Sequence, residues 1–311
     1  MLRGWFLTHR VRSDLSSMKL NFHHLRAFAE VAHTGSFTGA AECLYLTQPA
    51  ISKAVGSLEE VLGIALLERT SRQVKLTEAG VSLFSHARSI FALEQAALQD
   101  IEERRGLRKG CLHIGASTTI ATYWLGRDLA LFLERYPQID IRVSSGNTET
   151  MVHQVLEGLV EVALVEGPVD EERLNCELWD NEPLLLVTKP GVERAHLGQC
   201  RWILREEGSG TARVVAEILT HLGIVPARQV VVQSNQAAVQ MVVAGVGVAI
   251  VPAIMAAHHL ERGELACIPW SQGELQRSLS KISLKGRPAS PARAAFESFL
   301  GETRGQIKSV S

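Results

Sequence analysis

Residues 47–80, TQPAISKAVGSLEEVLGIALLERTSRQVKLTEAG, decide the fold, because the hydrophobic period changes twice within them. Pro49 stands where a helix tolerates proline, in the first turn, with Thr47 ahead of it as N-cap. Ile51, Val55, Leu58 and Leu62 then recur on one helical face, and Gly63 supplies the stop. From Ile64 the pattern turns to strands. Leu66-Leu67 and Arg69, the polar tip Thr70-Ser71-Arg72, and Val74-Lys75-Leu76 predict a short two-stranded ribbon with a basic end. Thr77-Glu78 caps a further helix running to about Arg105.

Upstream, HHLRAFAEVA (23–32) sets Leu25, Phe28 and Val31-Ala32 on one helical face. Gly35-Ser36 breaks that helix and caps the next, FTGAAECL (37–44), and Tyr45-Leu46-Thr47 forms the turn. Two short helices at a tight turn, followed by a basic ribbon, describe a winged helix-turn-helix. In that arrangement the second helix enters the DNA major groove by its N-terminal residues. Gln48, Ser52 and Lys53 occupy its first two turns and Ser57 lies farther along. Gln reads adenine bidentately, Lys reaches guanine, and Ser serves a base or a phosphate. Arg69, Arg72 and Lys75 would hold phosphates or the minor groove from the wing. The bland alternative is a solvated helix and a charged hairpin. Residues 19–77 hold six Lys/Arg (19, 26, 53, 69, 72, 75) against five Glu (30, 42, 59, 60, 68), so affinity requires clustering and two copies.

HLRAFAEVAHTGSFTGAAECL followed by TQPAISKAVGSLEEVLGIALLERTSRQVKLTEAG resembles the DNA-binding domain of LysR-type transcriptional regulators, in order and spacing, from His24 to Gly80. The resemblance implies that Gln48, Pro49, Ser52 and Lys53 face the groove and that Arg69 and Arg72 belong to the wing. Ser36 and Thr47, at the starts of the two helices, join the DNA-facing set. Leu67 departs from the family's usual Phe, which affects packing and leaves DNA contact undisturbed.

The helix from Thr77 repeats Phe84, Phe91 and Leu98 every seven residues, with Ala87 and Ile101 on the same seam. That is coiled-coil spacing, flawed by Glu94, and it favours a dimer over a single helix packed on its own domain. Gly106–Gly110 (GLRKG) is a short basic turn and the domain boundary. Beyond it, strands are predicted at 111–115, 139–144, 162–165, 184–188, 202–204, 230–233 and 248–251. Helices are predicted at 124–136, 150–157, 213–222 and 236–244. The alternation implies βαβ units, parallel sheets and two similar halves.

The fold class expected, with the effector domain taken from what the family resemblance implies, is α+β overall: a winged helix-turn-helix at 18–77, a linker helix at 78–105, and a two-lobed α/β effector domain at 111–303. Lobe one takes about 111–185 with 278–303, and lobe two about 186–277. Residues 1–17 lack the apolar run of a secretory signal and read as a disordered extension or a misassigned start.

The C-terminal part also resembles the LysR family. Its matches are IGASTTIATYWL, SSGNTETMVHQVLEGLVEVALVEGPV, WILREEGSGTARVV and SNQAAVQMVVAGVGVAIVP, closest in look to members tied to sulfur metabolism and carbon fixation. This implies a periplasmic-binding-protein-like effector domain with its ligand in the cleft. Physically, Ser117-Thr118-Thr119 and Asn147-Thr148 follow strands, and Ser209-Gly210-Thr211 precedes a helix in the other half. Helix starts offer free N–H groups to a small anion, although each of these side chains could equally be a plain cap. Glu166 could receive a donor from the ligand or close the lobes, and Arg205 could supply charge.

Other classes recede. Net charge is −1, from 32 basic and 33 acidic residues in 311, so only a local basic patch could serve DNA. Five scattered cysteines without a C-x-x-C pair point away from disulfides and structural zinc and toward a reducing cytoplasm. Met241–Ala257 is apolar but 17 residues long and broken by Gly245, Gly247 and Pro252, short of the ~20 a membrane span needs. Gly208-Ser209-Gly210 lacks the flanks and histidine of a nucleophile, and Gly245-Val246-Gly247 lacks the rest of a dinucleotide site. The adjacent pairs His23-His24 and His258-His259 lack metal-ligand spacing. No metal, cofactor or catalytic residue is assigned. The partners expected are promoter DNA, a small anionic effector and further copies of the chain as a homodimer or homotetramer. The rival reading is a two-lobed ligand-binding protein or enzyme without DNA function.

Overall fold

The computed structural model describes residues 19–69, 74–104, 110–191, 197–269 and 275–308. The contacts divide the chain into two units, one up to Glu94 and one from Gln95. In the first, α1 (Phe22–Thr34), α2 (Phe37–Cys43) and α3 (Gln48–Leu62) pack around Leu25, Phe28, Val31, Ile51, Val55 and Leu58. Asn21 caps α1 by accepting from His23 N at 2.9 Å, and Gly35 ends it at φ 64°. The glycine is needed there, since a side chain strains that left-handed backbone. Ser36 caps α2, accepting from Gly39 N at 3.2 Å.

Thr47 takes the N-cap position of α3, but its hydroxyl makes no cap bond, against expectation. A cap would use the second or third N–H of the helix. The second belongs to Pro49, which has none, and the Ala50 N–H is taken by the Thr47 carbonyl at 3.0 Å. The ribbon forms as β1 (Leu67–Arg69) against β2 (Val74–Leu76), antiparallel, with Glu68 opposite Lys75. Glu59 fastens it to α3 by accepting from Leu66 N at 2.7 Å.

The long helix is α4 (Glu78–Arg104). Its seam divides. Ala87 is buried in the core of the first unit, and Phe84 and Phe91 pack against that core. Arg26 and Arg88 lie over Phe91 and Phe84, at 4.2 and 5.1 Å from the ring centres. Glu94, the flaw in the heptad, is the ion-pair partner of Arg26. Leu98 and Ile101 remain 56% and 53% exposed. So the aromatic half of the predicted dimer seam serves its own domain, and of the seam's described residues Leu98 and Ile101 offer exposed apolar surface.

In the second unit the parallel trio β4 (Asp140–Gly146), β3 (Cys111–Ser117) and β5 (Val162–Glu166) alternates with α5 (Thr118–Tyr123), α6 (Leu125–Arg135) and α7 (Thr148–Leu156). Period-two alternation fills both faces. Leu112, Ile114, Val162 and Leu164 face α11 (Pro291–Lys308), while Ala163 and Val165 face Met151 and Val155. Phe132 meets Phe296 and Phe299 edge-on at 5.3 and 5.5 Å, contacts worth ~0.5–1.5 kcal/mol each beyond their burial.

The chain then runs through β6 (Leu174–Thr188) into a second lobe. That lobe contains β7 (Arg201–Arg205), α8 (Gly210–His221), β8 (Arg228–Val232), α9 (Asn235–Val243), β9 (Ala249–Pro252), α10 (Ala253–Glu261) and β10 (Ala266–Cys267). It returns through β11 (Gln276–Leu284), which lies between β6 and β5 and is antiparallel to both. The sheets are thus mixed, parallel within the βαβ units and antiparallel where the two long strands cross. Met241–Ala257 resolves into a helix end, a Gly245 turn at φ 83° and the buried strand β9. Among the described residues no helix is long and apolar enough to cross a membrane.

Candidate nucleic-acid interface and ligand cleft

The start of α3 presents Thr47, Gln48, Pro49, Ser52 and Lys53 to solvent, whereas Ser57 is half-buried. The residues at i, i+4 and i+5 from Gln48 face outward because Ile51 and Val55 take the inward stripe. Ser36 is half-buried and occupied as the α2 cap. Lys75 is exposed on β2. Arg69 closes β1 opposite Val74; its side chain, and Arg72 within 70–73, lie outside the described residues. Sequence reasoning passed over Tyr45. It turns the chain into α3 at φ 55° and is 95% exposed. An exposed aromatic in the one left-handed non-glycine conformation among the described residues was its available signal.

The nine residues predicted for the cleft sort into two groups. Ser117, Asn147 and Ser209 are caps: they accept from Ile120 N (3.4 Å), Thr150 N (2.9 Å) and Ala212 N (3.4 Å). Thr118 is half-buried beside them. Asn147 also reaches across the lobes, its Nδ2 donating to Glu206 Oε1 at 3.3 Å, and Thr119, Thr148, Glu166, Gly210 and Thr211 enter further contacts that run between them. Thr148 Oγ1 donates to the Glu166 carbonyl at 2.9 Å and accepts from Gly210 N at 3.2 Å. A Cβ on Gly210 would come within 1.7 Å of that carbonyl, so only glycine permits the approach.

Deeper in, Asn235 Nδ2 donates to Thr119 Oγ1 at 3.0 Å and to Thr211 Oγ1 at 3.2 Å. Thr211 Oγ1 also accepts from Arg277 Nη1. Arg277 is 1% exposed and anchors the cluster. Its Nε and Nη2 donate to Glu182 Oε2 at 2.8 and 2.5 Å, across the ladder position where β11 faces β6. Its Nη1 donates to Glu166 Oε1 at 3.1 Å. Trp124 Nε1 donates to the other Glu182 oxygen at 3.1 Å. Burial pushes the Glu166 carboxyl above the ordinary range; Arg277 and Arg205 pull the other way and Glu182 adds to the rise. Arg205 is turned to its neighbour, with Nε and Nη2 on Glu206 at 2.8 and 2.9 Å.

Arg277, Glu182 and Asn235 were not foreseen. Their partners lie up to 116 residues away in sequence, and nothing local marks them beyond a lone charge in a strand. A cavity of about 470 Å³ adjoins the cluster, lined by Thr148, Glu149, His153 and Arg173 from one lobe and by Gly210 and Arg213 from the other.

An exposed polar recognition helix with a ribbon, joined in one chain to a two-lobed domain with a polar cleft, defines a ligand-responsive DNA-binding regulator. Residues 22–81 match the family "Bacterial regulatory helix-turn-helix protein, lysR family", and residues 105–305 match "LysR substrate binding domain". The chain is 32% identical to the HTH-type transcriptional regulator CfxR of Cupriavidus necator over 91% of its own length and 92% of that protein. It is 29% identical to the RuBisCO operon transcriptional regulator of Allochromatium vinosum, covering 91% and 96%. Among solved structures it is similar to CbnR, a LysR family transcriptional regulator, with 25% identity, TM-score 0.64 and coverage of 91% and 99%. CbnR has also been solved in complex with its target DNA. The chain belongs to the LysR family of transcriptional regulators. It is a DNA-binding regulator with a ligand-binding effector domain, and its class acts on promoters rather than as enzymes.

Proposed function

We propose that this regulator reads DNA with residues 18–77, joins copies through the helix at 78–105 as a homodimer or homotetramer, and senses a small anion with residues 111–303. The anion sits between a lobe of about 111–185 plus 278–303 and a lobe of about 186–277. Gln48 and Lys53 meet base edges, Ser52 a base or phosphate, and Arg69, Arg72 and Lys75 the backbone from the wing. Relatives named for RuBisCO regulation support carbon-fixation genes as the target, and a promoter target supports a cytoplasmic protein. The observation that carries the effector reading is the buried chain Thr119–Asn235–Thr211–Arg277, which joins both lobes through hydrogen-bonding groups and one cation. A ligand that binds one arrangement of the lobes better shifts the population toward it, and ~1–3 kcal/mol of difference suffices for regulation.

The test is calorimetry of the full chain with inorganic sulfate and inorganic phosphate. Thr119→Ala and Thr211→Ala should each weaken anion binding tenfold or more. Unchanged affinity in both variants would place the effector site elsewhere.

A further inference from the structure

The cleft holds one fully buried guanidinium and two buried carboxylates, and the two acids are bound unequally. Glu182 takes the Nε and Nη2 of Arg277 on one oxygen and Trp124 on the other, directly across the β11–β6 ladder. It is a complete site on a paired strand. Glu166 holds Arg277 through Oε1 alone, and its Oε2 is buried with no hydrogen-bond partner. It is the last residue of β5, and the chain turns immediately after it through Gly167 at φ 77°. The Arg277 Nη1 that Glu166 occupies is also the nitrogen shared with Thr211 of the other lobe. That edge of the guanidinium therefore faces the meeting of the lobes, while the opposite edge is fixed to Glu182.

A phosphate or carboxylate would make the same charge-assisted hydrogen bond to that guanidinium as the single Glu166 oxygen does. From this arrangement we infer that Arg277 is the specificity-determining cation of the cleft, and that Glu166 is an internal occupant which an effector phosphate or carboxylate displaces. Glu182 is the positioning residue that keeps the guanidinium in place when Glu166 leaves. Asn235 Oδ1, buried and also without a partner, is free to accept from a hydroxyl of the same ligand. The ligand class is thus a hydroxylated small oxyanion. Displacement puts a third negative group beside Glu182 and Glu166, with Arg277 and Arg205 as the facing cations. Glu166 then accommodates the change by taking up a proton or by turning outward.

This inference rests on the cleft reading above, and the experiment separates the two. Full-length wild type and variants are titrated by calorimetry with inorganic phosphate, acetate and glycerol 3-phosphate. Glu166→Gln, which keeps the shape and removes the competing charge, should bind the preferred oxyanion at least tenfold tighter than wild type. Phosphate against acetate tells which oxyanion the site takes, and glycerol 3-phosphate should bind more tightly than inorganic phosphate if Asn235 receives a hydroxyl. Repeating wild type in buffers of different ionisation enthalpy reads proton uptake, which Glu166→Gln should abolish. The triple change Arg277→Gln, Glu182→Gln and Glu166→Gln removes the cation without stranding a charge, and should lose binding while melting cooperatively. If Thr211→Ala weakens binding but Glu166→Gln matches wild type, the cleft reading stands and this inference falls. If Glu166→Gln, Thr119→Ala and Thr211→Ala all match wild type, or no probe binds wild type or Glu166→Gln, both fall.

Discussion

Two helix starts in this molecule carry similar side chains under opposite conditions. At α3, Gln48, Ser52 and Lys53 lie in solvent; at α8, Ser209 and Thr211 lie buried and already bonded. A polar group in water exchanges one hydrogen bond for another at small net cost, so the exposed set gains from a partner that also brings charge and shape, as DNA does. A dehydrated group left unmatched costs ~1–3 kcal/mol, so the buried set accepts only a ligand that satisfies it. On the proposed assignment, the first surface would select by sequence and salt, the second by chemical fit.

The contrast breaks most easily through stability. Glu182→Ala would leave Arg277 without its fixed partner and should cost ~3–5 kcal/mol, the usual penalty for stranding a buried charge. Urea denaturation of the full chain measures this, and a variant as stable as wild type would mean that the cluster is not dehydrated. Gln48→Ala should leave that denaturation midpoint in place. Its effect belongs to DNA, a loss of ~1–3 kcal/mol at the cognate site with relaxed base preference. Lys75→Ala should instead weaken all sequences alike and reduce the salt slope by about 1, so footprints at two salt concentrations distinguish the roles.

The smallest effect is one of pH. Glu166 has its carboxyl raised by burial, so between the ordinary carboxylate range and that raised value the native state holds a proton that the unfolded chain has lost. The associated stability is full at low pH and is lost as pH rises through the raised value. Arg173 holds Glu171 at about 2, which gives a contribution of opposite sign that disappears on acidification. Glu171 is solvent-screened, so that contribution is small. The melting temperature of wild type should therefore fall as pH rises from the ordinary carboxylate range through the raised Glu166 value, and Glu166→Gln should flatten the slope. Equal slopes in the two proteins would remove Glu166 as the titrating group.

What was legible in the sequence was whatever repeats locally. The stripes Leu25/Phe28/Val31 and Ile51/Val55/Leu58 announce helices because each residue's core partners stand three or four places away. The first half of β6 escaped notice because Asn175, Cys176, Glu177 and Leu178 face outward and mimic a loop. In β11 the shift between Leu279 and Ser280 moves the inward face from one parity to the other, which spoils a strict alternation. Glu94 looked like a defect in a heptad because its partner, Arg26, belongs to another helix. The helix-start hydroxyls of the cleft were visible, but which were caps and which crossed between lobes depended on contacts such as Thr119 to Asn235, 116 residues apart. Arg277 was hidden for the same reason: a buried charge is tolerated only through its partners, and they came from β5 and β6.

The fifteen residues of β6 bear on how such a chain can be cut and recombined. Asn175–Pro183 are laddered to β11 on the side of the first lobe, while Leu184–Val187 are laddered to β9 in the second. The border between lobes therefore runs through the interior of a strand. A fragment ending near residue 185 would lose β9, β10 and β11, the strands to which β6 is laddered, and expose a raw sheet edge, which is an aggregation hazard. The lobes are thus not interchangeable cassettes. A chimaera that swaps effector specificity must also carry β3 to β5, because Thr119, Thr148 and Glu166 lie there and β11 is laddered to β5, so its seams belong before Cys111 and after α11.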